Sequence, residues 1–183
     1  MTVEDLGTAG ARVRERAAEL LVEGFADHWP DAWPDIASAR REVAECLSPG
    51  RICRAAFDRD GRLLGWVGAI SGYGGNVWEL HPLVVDPARQ GRGIGRRLVA
   101  DLVAGVRERG GLTLWAGSDD EDGMTSLSGV DLYDDPMKRI ASIRNLKRHP
   151  YEFYRKVGFV IVGVVPDANG RGRPDILLAR PVG

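Results

Sequence analysis

The amino-acid sequence predicts an α/β fold built on a mixed sheet. Three observations point there. Helical periodicity alternates with short β-rich runs along the chain. The apolar run Leu83-Val84-Val85 passes through a glycine-rich turn straight into a long amphipathic helix. At 183 residues the chain suits a single domain, residues 1–183, with a sizeable core.

The elements follow in order. Residues 12–23 and 35–47 read as amphipathic helices separated by the turn His28-Trp29-Pro30-Asp31-Ala32-Trp33-Pro34, and Pro49-Gly50 stops the second. Residues 52–58 and 63–71 form a predicted hairpin around Arg59-Asp60-Gly61. A loop, Gly72-Tyr73-Gly74-Gly75, leads to a strand over 77–85. Pro82 inside that strand cannot donate a ladder hydrogen bond, so it marks either an edge or a bulge, and a bulge would leave nearby amides free to face a ligand. Ile94, Leu98, Leu102 and Val106, flanked by Val99 and Val103, then repeat at helical spacing. Residues 112–117 form a further strand, and a polar loop runs on to Asp135. Helices are expected over 137–146 and 151–157, the latter stopped by Gly158, and strands over 160–165 and 175–179.

Composition narrows the function classes. Lys plus Arg number 25 against 26 Asp plus Glu, a net charge of −1, so nothing global suggests nucleic acid or an anionic membrane. No apolar run is long enough to span a bilayer, and the first residues lack the apolar core of a signal peptide, so a cytoplasmic address is expected. Cys46 and Cys53 lack companion histidines at metal-ligand spacing, and no metal is expected.

The turn Gln90-Gly91-Arg92-Gly93-Ile94-Gly95 lies between a strand and a helix, where unpaired N–H groups and the helix dipole suit a phosphate or diphosphate. Arg89, Arg92, Arg96 and Arg97 add positive charge. A Walker loop would need Lys and then Ser or Thr after its last glycine, but Arg96-Arg97 follow Gly95. A Rossmann fingerprint would need a third glycine where Arg96 stands. The reading that remains is Gln/Arg-x-x-Gly-x-Gly/Ala, filled by Gln90, Gly93 and Gly95, against the bland alternative of a surface turn with no ligand.

That pattern resembles the acetyl-coenzyme A signature of the GNAT N-acetyltransferase superfamily. Residues 78–85 (WELHPLVV), Gly117-Ser118-Asp119-Asp120, Leu127-Ser128, Asp131-Leu132-Tyr133 and residues 148–170 (RHPYEFYRKVGFVIVGVVPDANG) are similar to the small, chromosomally encoded, dimeric aminoglycoside 6′-N-acetyltransferases. The likeness runs from about Arg62 to Ala179 and is thin before Ile52. It implies a GNAT fold, a mixed and mostly antiparallel sheet with flanking helices, whose central strand is bulged and splayed from its neighbour to admit the pantetheine arm. It also implies acetyl transfer from acetyl-coenzyme A to the 6′-amino group of an aminoglycoside, and a homodimer.

The residues carry that chemistry as follows. A primary ammonium must lose a proton before its nitrogen can attack a thioester. Glu79 matches the base proposed for the family, and the same geometry would serve a charge anchor. His81, two residues along the strand and so on the same face, reads as a hydrogen-bonding neighbour. The resemblance gives Leu83 the backbone N–H that holds the thioester carbonyl, and Val84 and Val85 could pair with the pantetheine amides as a strand would. It gives Gln90, Gly91, Arg92, Gly93, Ile94, Gly95 and Arg96 the diphosphate. Tyr154 matches a tyrosine placed beside the coenzyme sulfur, with a core aromatic as the competing reading. A polycationic acceptor calls for acidic walls, and Asp119 and Asp120 open an acidic segment, 119–135, that contains no Lys or Arg. Trp29 and Tyr73 are candidate flat walls for sugar rings. Asp167 and Asp175 would add charge. Since no cysteine falls in these motifs, direct transfer is expected over a covalent intermediate. The rival readings are the same chemistry on a polyamine or a protein N-terminus, and a non-catalytic module that binds acyl-coenzyme A or drug.

Overall fold

The computed structural model describes residues 1–183. The chain forms two compact units, Met1–Leu114 with Val182–Gly183, and Trp115–Pro181. No helix is long and apolar enough to cross a membrane.

The first unit is a β-meander with helices on both faces. β1 (Thr2–Asp5), β2 (Ile52–Phe57), β3 (Leu63–Gly72) and β4 (Val77–Val85) lie side by side in that order, each antiparallel to the next. α1 (Ala11–Phe25) and α2 (Ile36–Cys46) pack together, and both touch β3. Their apolar stripes meet Trp66, Val84, Cys46 and Cys53 in one core, where the Trp66 indole donates to the Ala17 carbonyl at 3.0 Å. Asp35 caps α2 by accepting from Ser38 N at 2.7 Å, and the Ser38 hydroxyl returns to the Asp35 carbonyl at 2.7 Å. α3 (Ile94–Glu108) packs against β2, β3 and β4, and an ion pair between Arg54 and Asp101 ties β2 to it. In the β2–β3 hairpin, the Asp58 carboxylate accepts from Asp60 N and Arg62 N, both at 2.9 Å.

The bulge is present in β4. Val67 pairs with Leu83 and Ala69 with Leu80, so Gly68 alone faces His81 and Pro82, whose peptide bond is cis. The extra residue reverses which face even-numbered side chains take. Trp78 lies toward α3, where a Cβ on Gly111 would stand 2.5 Å from Val106 and 2.8 Å from the Trp78 ring. Val84 lies toward α1, where a Cβ on Gly24 would come within 2.6 Å of it. Glu79 and His81, lying before the reversal, therefore share the α2 face of the sheet with Val84 beyond it.

In the second unit, β6 (Val160–Val165) pairs antiparallel with β7 (Asp175–Pro181), and β5 (Thr113–Asp119) comes next to β7 in the order β5-β7-β6. Two short helices, α4 (Pro136–Ala141) and α5 (Tyr151–Lys156), lie in this unit.

One expectation about local structure needs correction, and one strand was not foreseen. The helix expected over 137–146 ends at Ala141. Beyond it the chain turns back to pair with the loop before it: Leu146 N donates to the Met124 carbonyl at 2.8 Å, Arg144 N to the Ser126 hydroxyl at 2.9 Å, and Thr125 and Asn145 form a bridge. These tertiary bonds take the amides that a longer helix would have used. β1 had no counterpart in the reading of the sequence, because four residues are too few to establish a period of two and the strand exists through its pairing with β2.

Candidate active site

The glycine-rich turn leaves backbone amides unpaired at the start of α3. Asp86 accepts from Ala88 N at 2.9 Å and folds the chain after β4. Gln90 Nε2 reaches back to the Val85 carbonyl at 3.4 Å and closes the turn onto the strand end. Gly91 and Gly93 hold φ of 75° and 80°, a region costly to any residue with a Cβ, and a Cβ on either would meet only open space. Gly93 is the N-cap of α3, with Arg97 N donating to its carbonyl at 3.1 Å. The amides of Ile94, Gly95 and Arg96 precede that first bonded turn and donate to no group of the protein. Arg92, Arg96 and Arg97 stand exposed around them, while Ile94 is buried and anchors the helix start.

In the same unit, β4 presents Glu79 and His81 on one face. Glu79 is half-buried and lies opposite Ile70 of β3. His81 Nε2 lies 3.7 Å from Glu42 Oε2 of α2, and the Trp33 ring is 5.9 Å from the imidazole. The Glu42 carboxylate raises the His81 pKa above the ordinary histidine value against the opposing effect of burial, and Glu79 adds to the rise. In return, His81 holds the Glu42 carboxyl below the usual range. Leu83 follows the bulge opposite Val67, with Val84 buried against α1 and Val85 half-buried at the strand end.

The two aromatic walls read from the sequence fall differently. The Trp29 ring packs on Phe25 at 5.8 Å and on His28 at 5.5 Å. Phe25 also packs on Trp33 at 4.6 Å, so the structure brings Trp33 to the His81 ring and leaves Trp29 one aromatic layer behind it. Tyr73 is 83% exposed in the loop after β3, at φ 51°.

The second unit positions the acidic segment and the tyrosine. Asp120 is fully buried, and its carboxylate accepts from Met124 N at 2.6 Å and from Thr125 N and Oγ1 at 2.8 and 2.7 Å. Those bonds build the loop and keep the carboxylate away from solvent, unlike the open acidic wall expected for a substrate contact. Asp119 is half-buried; its Oδ1 accepts from Asn169 Nδ2 at 2.5 Å, and its carbonyl lies 3.1 Å from His149 Nε2. Asp175 accepts from Ser118 N at 2.7 Å and Asp167 from Gly172 N at 2.6 Å, so both serve the backbone. Other acids of the segment cap turns: Asp131 accepts from Tyr133 N, and Asp135 from Lys138 N. Tyr154 is buried in α5 between Phe153 and Phe159, each ring 5.4 Å away. Burial, with the Asp175 carboxylate adding to it, pushes its phenol well above the usual range.

A model of the acetyltransferase (GNAT) family matches residues 14–126. The chain belongs to the GNAT acetyltransferase family. Solved structures resemble it over its whole length. A crystal structure of an aminoglycoside 6′-N-acetyltransferase complexed with coenzyme A is 41% identical with a TM-score of 0.91, covering 100% of this chain and 98% of that one. The aminoglycoside 6′-N-acetyltransferase from Enterococcus faecium is 43% identical with a TM-score of 0.89, again covering 100% and 98%. The N-alpha-acetyltransferase RimI of Mycobacterium tuberculosis (strain ATCC 25618 / H37Rv) is 40% identical over 102 residues, 52% of this chain and 60% of that protein. The match thus spans less than two thirds of RimI's own length.

For this GNAT acetyltransferase, the strand, the bulge and the glycine turn were legible in the sequence, whereas the approach of Trp33 and Glu42 to His81 was not. A signal for Glu42 existed. Ala39, Val43 and Cys46 form the buried stripe of α2, and Glu42 occupies the same stripe, where an apolar residue is the rule. Trp33 had only its place in a Trp-Pro-rich turn.

Proposed function

We propose that this chain transfers the acetyl group of acetyl-coenzyme A directly to the 6′-amino group of aminoglycosides, an antibiotic-resistance activity. The observation that carries this reading is the likeness to two aminoglycoside 6′-N-acetyltransferases at 41% and 43% identity over 98% of each, against a partial match to RimI.

The residues support it as follows. The free amides of Ile94, Gly95 and Arg96 receive the coenzyme's diphosphate, with Gln90, Gly91, Arg92 and Gly93 shaping the turn. Leu83 to Val85 run beside the pantetheine arm, and the Leu83 amide donates to the thioester carbonyl. Negative charge grows on that oxygen as the amine attacks, and one aimed amide stabilises it by about 3 kcal/mol. Glu79 takes the proton of the acceptor ammonium or anchors it. The amine nitrogen bonds to the carbonyl carbon and sheds its second proton to solvent. The C–S bond breaks, and the coenzyme leaves as a thiolate that takes up a proton; the family resemblance assigns Tyr154 to that sulfur. Burial keeps the Tyr154 phenol protonated, so it is equipped to hydrogen-bond the departing sulfur or to give it a proton. The Cys53 thiol is pushed up by its hydrogen bond with Cys46 and by burial, and so is a poor candidate for a covalent acetyl carrier. The reading also carries a homodimer in the cytoplasm.

RimI favours a second reading, a protein N-terminus as acceptor. Release of free coenzyme A thiol separates the two when two aminoglycosides differing only in a 6′-amino or 6′-hydroxyl group are offered beside a peptide with a free α-amine. The first reading expects turnover of the 6′-amino compound alone. Equal rates on the two aminoglycosides would refute the regiochemistry, and turnover of the peptide alone would establish the second reading.

A further inference from the structure

Glu42 is a carboxylate where α2 should be apolar. It lies one turn from Ala39 and one turn from Cys46, beside Val43, on the face that packs toward the sheet, and its side chain is only 15% exposed. Its Oε1 is shut off from solvent and makes no hydrogen bond of good geometry, although the Trp33 side chain lies near enough to help hold the carboxyl below its usual range. Burying a carboxylate oxygen without a well-placed donor costs stability, so apolar packing alone does not explain this residue. Its other oxygen, Oε2, faces His81 Nε2 at 3.7 Å, at the bulge of β4. Trp33 closes the ring from the side, 5.9 Å away. The charged groups that act on His81 are Glu42 from α2, Glu79 from β4 and Arg51 from the segment before β2, the last opposing the other two. Arg51 also lies 3.9 Å from Glu45, which offsets part of its charge.

We propose that Glu42 is a positioning residue for acetyl transfer, gripping the His81 imidazole at the bulge and fixing it beside Glu79 on the face of β4 that meets the acceptor amine. The inference rests on the assignment of Glu79 and His81 to the acceptor side. A histidine between two carboxylates carries its proton over a wider pH range than a free one, and the group of three then keeps a net negative charge that suits a single ammonium. Without Glu42 the ring loses both its orientation and the charge that balances it.

The test is Glu42→Gln, which keeps shape and removes charge. Histidine ring resonances followed by NMR across pH in the free protein, assigned with His81→Asn, should show the His81 midpoint falling by about one pH unit, the scale of one lost opposite charge. In parallel, kcat/KM for the acceptor should fall about tenfold while KM for acetyl-coenzyme A stays unchanged, and the effect should vanish when Glu42→Gln is placed in a His81→Asn background, where the two residues no longer interact. His81→Asn reads the contact from the other side: the Glu42 carboxyl midpoint should rise toward the ordinary value, which decides the matter if the glutamine variant does not fold. An unchanged His81 midpoint, an unmoved Glu42 midpoint in His81→Asn, or full acceptor kcat/KM in Glu42→Gln would each overturn the proposal. The titrations need no acceptor, so they stand even if aminoglycosides prove not to be the substrate.

Discussion

Gly68 faces the His81 carbonyl so closely that no side-chain carbon would fit between them. Across the two strands, one residue of β3 opposes two of β4, and the missing side chain is what lets the bulge lie against its neighbour. A Cβ on Gly68 would also meet Cys46 Sγ at 2.5 Å, so the space is closed from α2 as well.

Gly68→Ala should therefore be costly. The obstacle is backbone, which cannot swing aside as a side-chain tip would, so the loss belongs near the upper end of the ~1–3 kcal/mol typical of overpacking. For a chain of this size that is a fall in Tm of roughly 6–12 °C. Thermal unfolding checks it, and a Tm within a degree or two of the parent would mean that the bulge tolerates displacement.

Gly93→Ala probes the cradle with little cost elsewhere. Its φ of 80° penalises alanine, but a Cβ there meets nothing, so no packing is lost. A strain of about 1–2 kcal/mol should reorient the turn and raise KM for acetyl-coenzyme A roughly tenfold, leaving KM for the acceptor unchanged. Steady-state kinetics with each substrate varied in turn reads this directly. An unaltered coenzyme KM would argue against a diphosphate at these amides.

Tyr154→Phe keeps the ring between Phe153 and Phe159 and removes only the hydroxyl. A hydrogen bond to a developing thiolate contributes about 1.5–3 kcal/mol, so kcat should fall roughly 10- to 100-fold with both KM values held. Circular dichroism should match the parent, since the lost group serves the leaving sulfur and not the fold. Undiminished kcat would return Tyr154 to the aromatic core.

Much of this was legible in the primary structure because it rests on local rules. Period and punctuation are local, and they placed β4, α3 and the turn between them: Val77–Val85 and Ile94–Glu108 carry their apolar spacing in the letters themselves, and Gly91 and Gly93 declare a backbone that other residues avoid. Pro82 announced a break in the strand, though not which residue would lie opposite it.

Only the folded chain settled the rest, because it depends on partners distant in sequence. Asp119 and Asp120 are adjacent and chemically identical, but Asp120 is fully buried and holds a loop together while Asp119 is half-buried and meets Asn169, 50 residues on. The helix expected past Ala141 gave way to bonds with Met124 and Ser126. Glu42 reaches His81 across 39 positions of sequence because α2 and β4 meet in the core. A carboxylate's role is set by what surrounds it in space, and no periodicity along a chain records that.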